Sequence, residues 1–440
     1  MKIAVIGGAG VRTPLLVSGL AASDLPIDEI ALYDVDQARL SIIGPVAERM
    51  ASGGEWRGRV TLCRSFAEAV AWADFVFTSI RVGGNERRMR DEATAQRHGI
   101  VGQETIGPAG FAMAARTIPE MVRYTRQIAD AAPRAWIINF TNPVGVVTEA
   151  MRTASDRVIG ICDTPTELFE STAHALDLDP ARCSFDYFGL NHLGWLREVY
   201  SGGEPQLHRL WNDAAGLQAI YKAPLFDSAS LRSLKLLPTE YVYYYDQPTR
   251  AYDNVRRAGR SRGQVIEELN RALFESLGDP HADAAPYDRV ARYRSYLSLR
   301  SRSYMQIESG SYDPSMPSPA SVSSGYDRIA VSVVRAIHFN THDVIPLSVT
   351  NRGNLPDLDD GDVVEVPCAV GANGAQPLHV DRVPDRVLPL LQHVKEYERL
   401  TVRAALAQSL DAARRALAAN PLVPSPATAS ALVDDLAPLW

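Results

Sequence analysis

Cys162 closes one apolar stretch, VIGIC, and His192 interrupts another, GLNHLGWL, 30 residues later. A thiolate and an imidazole together suit a divalent ion such as zinc, iron or manganese, with open positions for substrate oxygens. Taken cold, the pair is weak evidence. Free cysteines are among the most buried residue types, and a histidine in an apolar run is more often a satisfied core residue. Each has a polar neighbour, Asp163 and Asn191, in an otherwise apolar setting, which favours a ligand pair.

A second constellation opens the chain. Gly7, Gly8 and Gly10 follow the apolar KIAVI, and Val11 and Arg12 lead into a helical stretch. Glycines between a strand and a helix let backbone N–H groups approach a pyrophosphate at the helix N-terminus. The third glycine of a G-x-G-x-x-G pattern is missing, because Thr13 stands there. Asp34, ending the second strand-like run, supplies the acid expected on the adenosine ribose diol. No Arg follows it immediately to meet a 2′-phosphate, so NAD is expected rather than NADP. A third candidate is PTEYVYYY (238–245), whose four tyrosines would otherwise read as core aromatics.

These residues need elements to position them. KIAVI, IALYDVD (30–36), RVTLC, DFVFTSI (74–80), AWIINFTNP (135–143) and VIGICDTP (158–165) read as strands alternating with helices. Such alternation implies a doubly wound parallel sheet, whose ligands bind beyond the carboxyl ends of its strands. The polar clusters fall at those ends. From about 170 the alternation fades into a mostly helical, Arg- and Tyr-rich stretch, with a strand at 361–370 and helices within 383–419. The expected fold is α/β: an N-terminal Rossmann-like doubly wound parallel sheet with a C-terminal mixed α+β domain. The expected division is 1–165 for the dinucleotide, 166–420 for substrate and metal, and 421–440 as a Pro- and Ala-rich, surface-draped tail.

Bulk properties narrow the function. A chain of 440 residues is too long for one simple core. With 45 Lys plus Arg against 52 Asp plus Glu, the net charge is -7, which speaks against a general nucleic-acid binder. Four scattered cysteines do not make a disulfide framework. No signal-like leader or membrane-length apolar run is read, so the cytoplasm and no membrane partner are expected.

GGAGVRTP, RVGGNERRMRDE (81–92), GQETIGPAGF (102–111), NFTNPVG (139–145), GICDTP, GLNHLGW, PTEYVYYY, NRGNLPDL and VVEVPCAV occur in this order. Together they resemble glycoside hydrolase family 4, the 6-phospho-α- and 6-phospho-β-glucosidases, from residue 1 to about 415. The resemblance implies a fold shared with lactate and malate dehydrogenases, NAD, a divalent metal (usually manganese), and a homodimer or homotetramer. It implies hydrolysis by transient oxidation at sugar carbon 3, proton abstraction at carbon 2 and elimination of the aglycone, an exception to two-carboxylate hydrolysis.

Residue by residue, the resemblance makes Cys162 and His192 the metal ligands, Tyr241 the base and Asp163 the proton donor. A phenol titrates near 10, so nearby positive charge is expected to favour its phenolate. Asn142 and Asn191 would hold sugar hydroxyls or the nicotinamide ribose, and Glu104 would lie near the nicotinamide. Arg81, Arg88 and Arg262 would bind an anion on carbon 6. One departure stands out. The family's RGG-type segment is not recognisable in the Arg-rich YRSYLSLRSRSYMQIESGS. The substrate is expected to be a 6-phospho-glucoside of the β type. A 6-sulfo-glucoside (sulfoquinovoside) is the near alternative, and a plain NAD dehydrogenase of a sugar or hydroxy acid the more distant one.

Overall fold

The computed structural model describes residues 1–278, 288–313 and 325–437. Six strands form the parallel core of the main sheet: β1 (Lys2–Ile6), β2 (Glu29–Tyr33), β3 (Arg59–Leu62), β4 (Phe75–Thr78), β5 (Trp136–Asn139) and β6 (Val158–Gly160). Their spatial order is β6-β5-β4-β1-β2-β3. The order reverses at β1, where a doubly wound sheet opens its crevice. β1 and β4–β6 are apolar runs rather than alternating ones because helices cover both sheet faces.

The chain then leaves the sheet. β7 (Cys183–Leu190) and β8 (Leu193–Ser201) pair antiparallel, joined by the two residues Asn191 and His192. β9 (Glu204–Pro205) and β10 (Leu237–Pro238) complete this smaller sheet, in the order β10-β8-β7 with β9 on β8. Helices follow, including Arg262–Gly278 and Asp288–Arg302. The later strands β11 (Asp343–Thr350), β12 (Val363–Gly371) and β13 (Gly374–Pro377) return to the main sheet and extend it antiparallel from β6, through Ser348 opposite Gly160. One nine-stranded sheet therefore carries strands from both halves of the chain.

The helices expected within 383–419 are present, and the expectation of a surface-draped tail is corrected. Leu388–Ala407 and Leu410–Ala418 are separate helices, broken where Gln408 takes a left-handed φ of 48°. Within the stretch expected to be a surface-draped tail, Pro426–Leu436 is a helix. Ser425 caps it by accepting from the Thr428 N–H, and Pro426 sits in its first turn. Ala429, Leu432, Val433 and Leu436 are fully buried against Ala413, Ala416 and Leu417. A Pro- and Ala-rich composition conceals a helical spacing of apolar residues. Among the described residues no helix is long and apolar enough to cross a membrane.

Candidate active site

The glycine turn is shaped as its sequence suggests. Gly7 and Gly8 donate to the Tyr33 carbonyl at the end of β2, and Gly10 donates back to Gly7. Gly7 has φ +95°, and a Cβ there would lie 2.2 Å from the Ser79 carbonyl oxygen, so only glycine fits. The helix Thr13–Ala21 starts directly afterwards. Asp34 accepts from the backbone N–H groups of Ala9 (3.0 Å) and Asp36 (2.9 Å), which locks its carboxylate beside the turn. Burial raises the Asp34 pKa against the pull of those two donors. Arg12 reaches away from the turn, to Asp163 at 3.3 Å and over the Tyr326 ring at 5.0 Å. The Val11 carbonyl accepts from the Tyr293 hydroxyl.

A cavity of about 720 Å³ runs from this turn along the carboxyl ends of β1, β4, β5 and β6. Gly7, Gly10, Val11, Arg12, Asp34, Arg81, Arg88, Glu104, Asn142, Cys162, Asp163, His192, Tyr241 and Arg262 all line it, though they come from segments spread over more than half the chain. The volume falls in the range of preformed ligand sites.

At its centre the Cys162 Sγ and the His192 Nε2 stand 3.6 Å apart. Two such donors bound at about 2.3 and 2.1 Å to one ion at a tetrahedral angle would be about 3.6 Å apart, so the pair fits a shared divalent ion. The other ring nitrogen, Nδ1, is 3.0 Å from the Thr105 hydroxyl, which turns Nε2 toward the thiol. His192 sits at φ 113°, an unusual backbone for a residue with a Cβ, as the second residue of the β7–β8 turn. Burial lowers its pKa to about 4, which keeps the imidazole neutral and able to ligate. Among the described residues no group of three or more His, Cys, Asp or Glu side chains forms a metal cage. Two protein donors with open positions suit an ion that also binds substrate.

Tyr241 stacks on the His192 ring, with centroids 3.9 Å apart and planes 2° from parallel. The protein itself does not favour its phenolate: burial, then neighbouring Glu240, pushes the phenol well above its usual range, and only a hydrogen bond from Tyr304 opposes them. Among the described residues no side-chain cation stands out as favouring the Tyr241 phenolate. A metal held by Cys162 and His192 would supply one.

Asn191 corrects another expectation. Its Nδ2 donates to the Glu365 Oε1 at 3.0 Å, and it is not among the residues lining the main cavity. His192 lines the main cleft, while half-buried Asn191 is held by Glu365, which also accepts from the Tyr187 hydroxyl.

The arginines divide into two kinds. Arg81 and Arg88 both pair with Glu104, at 2.5 and 3.0 Å, and Arg88 also pairs with Glu92. Two guanidiniums overcome burial and hold the Glu104 carboxyl far below its usual range. Arg262 instead donates to the Ser303 hydroxyl and the Arg300 carbonyl. Among the described residues neither Arg262 nor Arg300 has a carboxylate within 4.0 Å. Burial, then Arg300, lowers the Arg262 pKa to about 10, and the Glu308 carboxyl only partly opposes them.

Several lining residues escape sequence reasoning: Arg300, Tyr304, Glu240 and Tyr326. Arg300 and Tyr304 lie within the stretch that departs from the family pattern, so the departure itself was their signal. Glu240 lies beside Tyr241 in a motif read only for its tyrosines.

The model described as "Family 4 glycosyl hydrolase" matches residues 2–178, and "Family 4 glycosyl hydrolase C-terminal domain" matches 187–423. The two meet after the expected boundary at 165. A probable 6-phospho-beta-glucosidase of Bacillus subtilis (strain 168) is 29% identical over 450 residues, covering 99% of this chain and 95% of that one. A 6-phospho-alpha-glucosidase from gut microorganisms, solved with NAD and glucose-6-phosphate, superposes with a TM-score of 0.85 at 27% identity, covering 99% and 97%. The 6-phospho-beta glucosidase from Thermotoga maritima, solved with manganese, NAD+ and glucose-6-phosphate, superposes at 0.83 and 27% identity, covering 100% and 98%. A malate dehydrogenase of Cryptosporidium parvum, 13% identical with a TM-score of 0.54 over 92% of this chain and 99% of that one, shares the fold alone.

Proposed function

The chain belongs to the family 4 glycosyl hydrolases, and from that premise we propose that it cleaves 6-phospho-glucosides by redox-assisted elimination, with NAD and a divalent ion, manganese first. When bound, NAD takes a hydride from sugar carbon 3 and later returns it, and the ion polarises the carbonyl formed there. The chain's own residues hold the reactants and move the protons. The turn from Gly7 to Arg12 seats the pyrophosphate, and Asp34 receives the adenosine ribose. Cys162 and His192 hold the ion against the sugar's hydroxyls on carbons 2 and 3. Tyr241 takes the carbon 2 proton, and Asn142 fixes a hydroxyl of the sugar or the nicotinamide ribose. Asp163 is the carboxyl that the family pattern assigns to the leaving oxygen. Arg262 and Arg300 receive the 6-phosphate, since both line the cavity and, among the described residues, neither is held in a direct salt bridge. Arg81, Arg88 and Glu104 form a closed ion network that braces this end.

One observation carries the reading. A thiol, an imidazole and a phenol from three distant segments meet in the cavity that begins at a dinucleotide turn. The solved relatives with NAD and glucose-6-phosphate support it. The test is a panel of 4-nitrophenyl 6-phospho-β-glucoside, its α anomer and a 6-sulfo-glucoside, each with and without NAD and Mn²⁺. Cleavage of a phosphorylated member, dependent on both additions and without net NADH, is expected. Substrate deuterated at carbon 2 should turn over more slowly or lose its label to water. NADH produced in proportion to substrate, without aglycone release, would turn the protein into a dehydrogenase.

A further inference from the structure

Two carboxyl groups flank the metal pair and the base: Asp163, directly after Cys162, and Glu240, directly before Tyr241. Both line the cavity. Their surroundings differ. The Asp163 Oδ2 accepts from the Arg12 guanidinium at 3.3 Å, so a proton there would sacrifice an ion pair. Glu240 has no cation within 4.0 Å among the described residues. Its Oε1 accepts from two neutral hydroxyls, Tyr304 at 2.7 Å and Thr164 at 3.2 Å.

The groups facing Glu240 are acids and phenols. Glu167 and Asp163 lie at the helix that starts at Thr164. Glu365 and Tyr187 lie on the strands behind it, and Tyr221, Tyr241 and Tyr304 on the surrounding loops and turns. The nearby ammonium, Lys222, is bound to Glu167 at 2.5 Å. Burial, reinforced by Glu167 and Asp163 and only partly offset by the Tyr304 hydrogen bond, raises the Glu240 carboxyl to about 7. A buried carboxyl met by hydroxyls and by no cation is suited to carry a proton at neutral pH.

We propose that Glu240, rather than Asp163, delivers the proton to the departing aglycone oxygen; the inference rests on the redox-elimination reading above. Tyr241 takes the hydrogen from carbon 2 as a proton, and its electron pair forms the double bond between carbons 1 and 2. The bond from carbon 1 to the glycosidic oxygen breaks, and the Glu240 proton passes to that oxygen, which leaves as a neutral alcohol. In the second half water adds to carbon 1, Glu240 takes the water's proton, and Tyr241 returns a proton to carbon 2. Each group ends as it began. Asp163 stays with Arg12 as a fixed charge beside the metal pair.

The test varies leaving-group acidity in the NAD- and Mn²⁺-loaded enzyme, because an alkyl alcohol needs protonation to depart and a nitrophenol does not. For Glu240→Gln, kcat on an alkyl 6-phospho-glucoside should fall about 100-fold or more, within the range of general acid catalysis. On the 4-nitrophenyl analogue it should fall only a few-fold. The decline of wild-type alkyl-glycoside turnover above pH ~7 should vanish in this variant, while exchange of the carbon 2 hydrogen with deuterated water persists. Asp163→Asn should lose activity on both substrates alike. Equal losses on both substrates for Glu240→Gln, or selective loss on the alkyl substrate for Asp163→Asn, would overturn the assignment. A wild-type enzyme that cleaves neither substrate overturns the glycosidase reading and this inference with it.

Discussion

The two ends of the cleft are made of different materials. At the glycine-turn end, the turn and its acid, Asp34, lie within 28 residues of continuous chain from Gly7 to Asp34 and are tied together by backbone N–H groups. At the sugar end the candidate groups are side chains from separate segments: Cys162 after β6, His192 in the turn between β7 and β8, Tyr241 after β10, and Arg262 and Arg300 on two later helices. The glycine turn is built mostly of neutral backbone. The sugar end concentrates buried ionisable groups, several with strongly displaced pKa values. Displaced values mark sites arranged for chemistry rather than for stability.

This contrast implies that the ends fail separately. Tyr241→Phe should lower kcat by about 10²–10⁴-fold, the usual weight of a general base, and stop exchange at carbon 2. NAD affinity measured by fluorescence titration should not change. A parallel collapse in NAD binding would show that the ends are one unit. Gly7→Ala tests the converse. Its Cβ would meet the Ser79 carbonyl at 2.2 Å from a left-handed backbone. Strain of about 1–3 kcal/mol should appear as weaker NAD binding, with Mn²⁺ binding to the Cys162 and His192 pair retained. Loss of both would again merge the ends.

The smallest effect is on stability. Burial raises the Glu365 carboxyl from 4.5 to about 7. Below pH 4.5 it is protonated in folded and unfolded chains alike. As pH rises toward 7 the unfolded chain ionises first, so the folded state loses stability, levelling off above 7. The upper bound is about 3 kcal/mol at 1.36 kcal/mol per unit. Glu365→Gln should flatten that part of the Tm–pH curve; an unchanged slope would mean that Glu365 ionises freely in the fold.

The same contrast explains how much could be read in advance. The glycine turn, Asp34 and the alternation of strands and helices were legible because each depends on neighbours in sequence: a strand, a turn needing positive φ and a helix start. Cys162 and His192 were weak as isolated residues and became convincing through the resemblance. Asn191 and His192 could not be told apart in GLNHLGWL, since which one faces the cleft depends on a hairpin turn and on Glu365, 174 residues away from Asn191. The pairing of Arg81 and Arg88 with Glu104, while Arg262 donates to the Arg300 carbonyl, is equally invisible in one dimension.

The amino-acid order alone determined the parallel sheet, the dinucleotide turn and the residue types available for redox hydrolysis, because short-range sterics and periodic burial act within a few residues. Only the folded chain decided which charges meet. It gave Asp163 to Arg12, left Glu240 among hydroxyls, and turned His192 onto Cys162. Coulomb energy and desolvation depend on distances across the cleft, and segments as far apart as residues 12 and 304 acquire those distances only on folding.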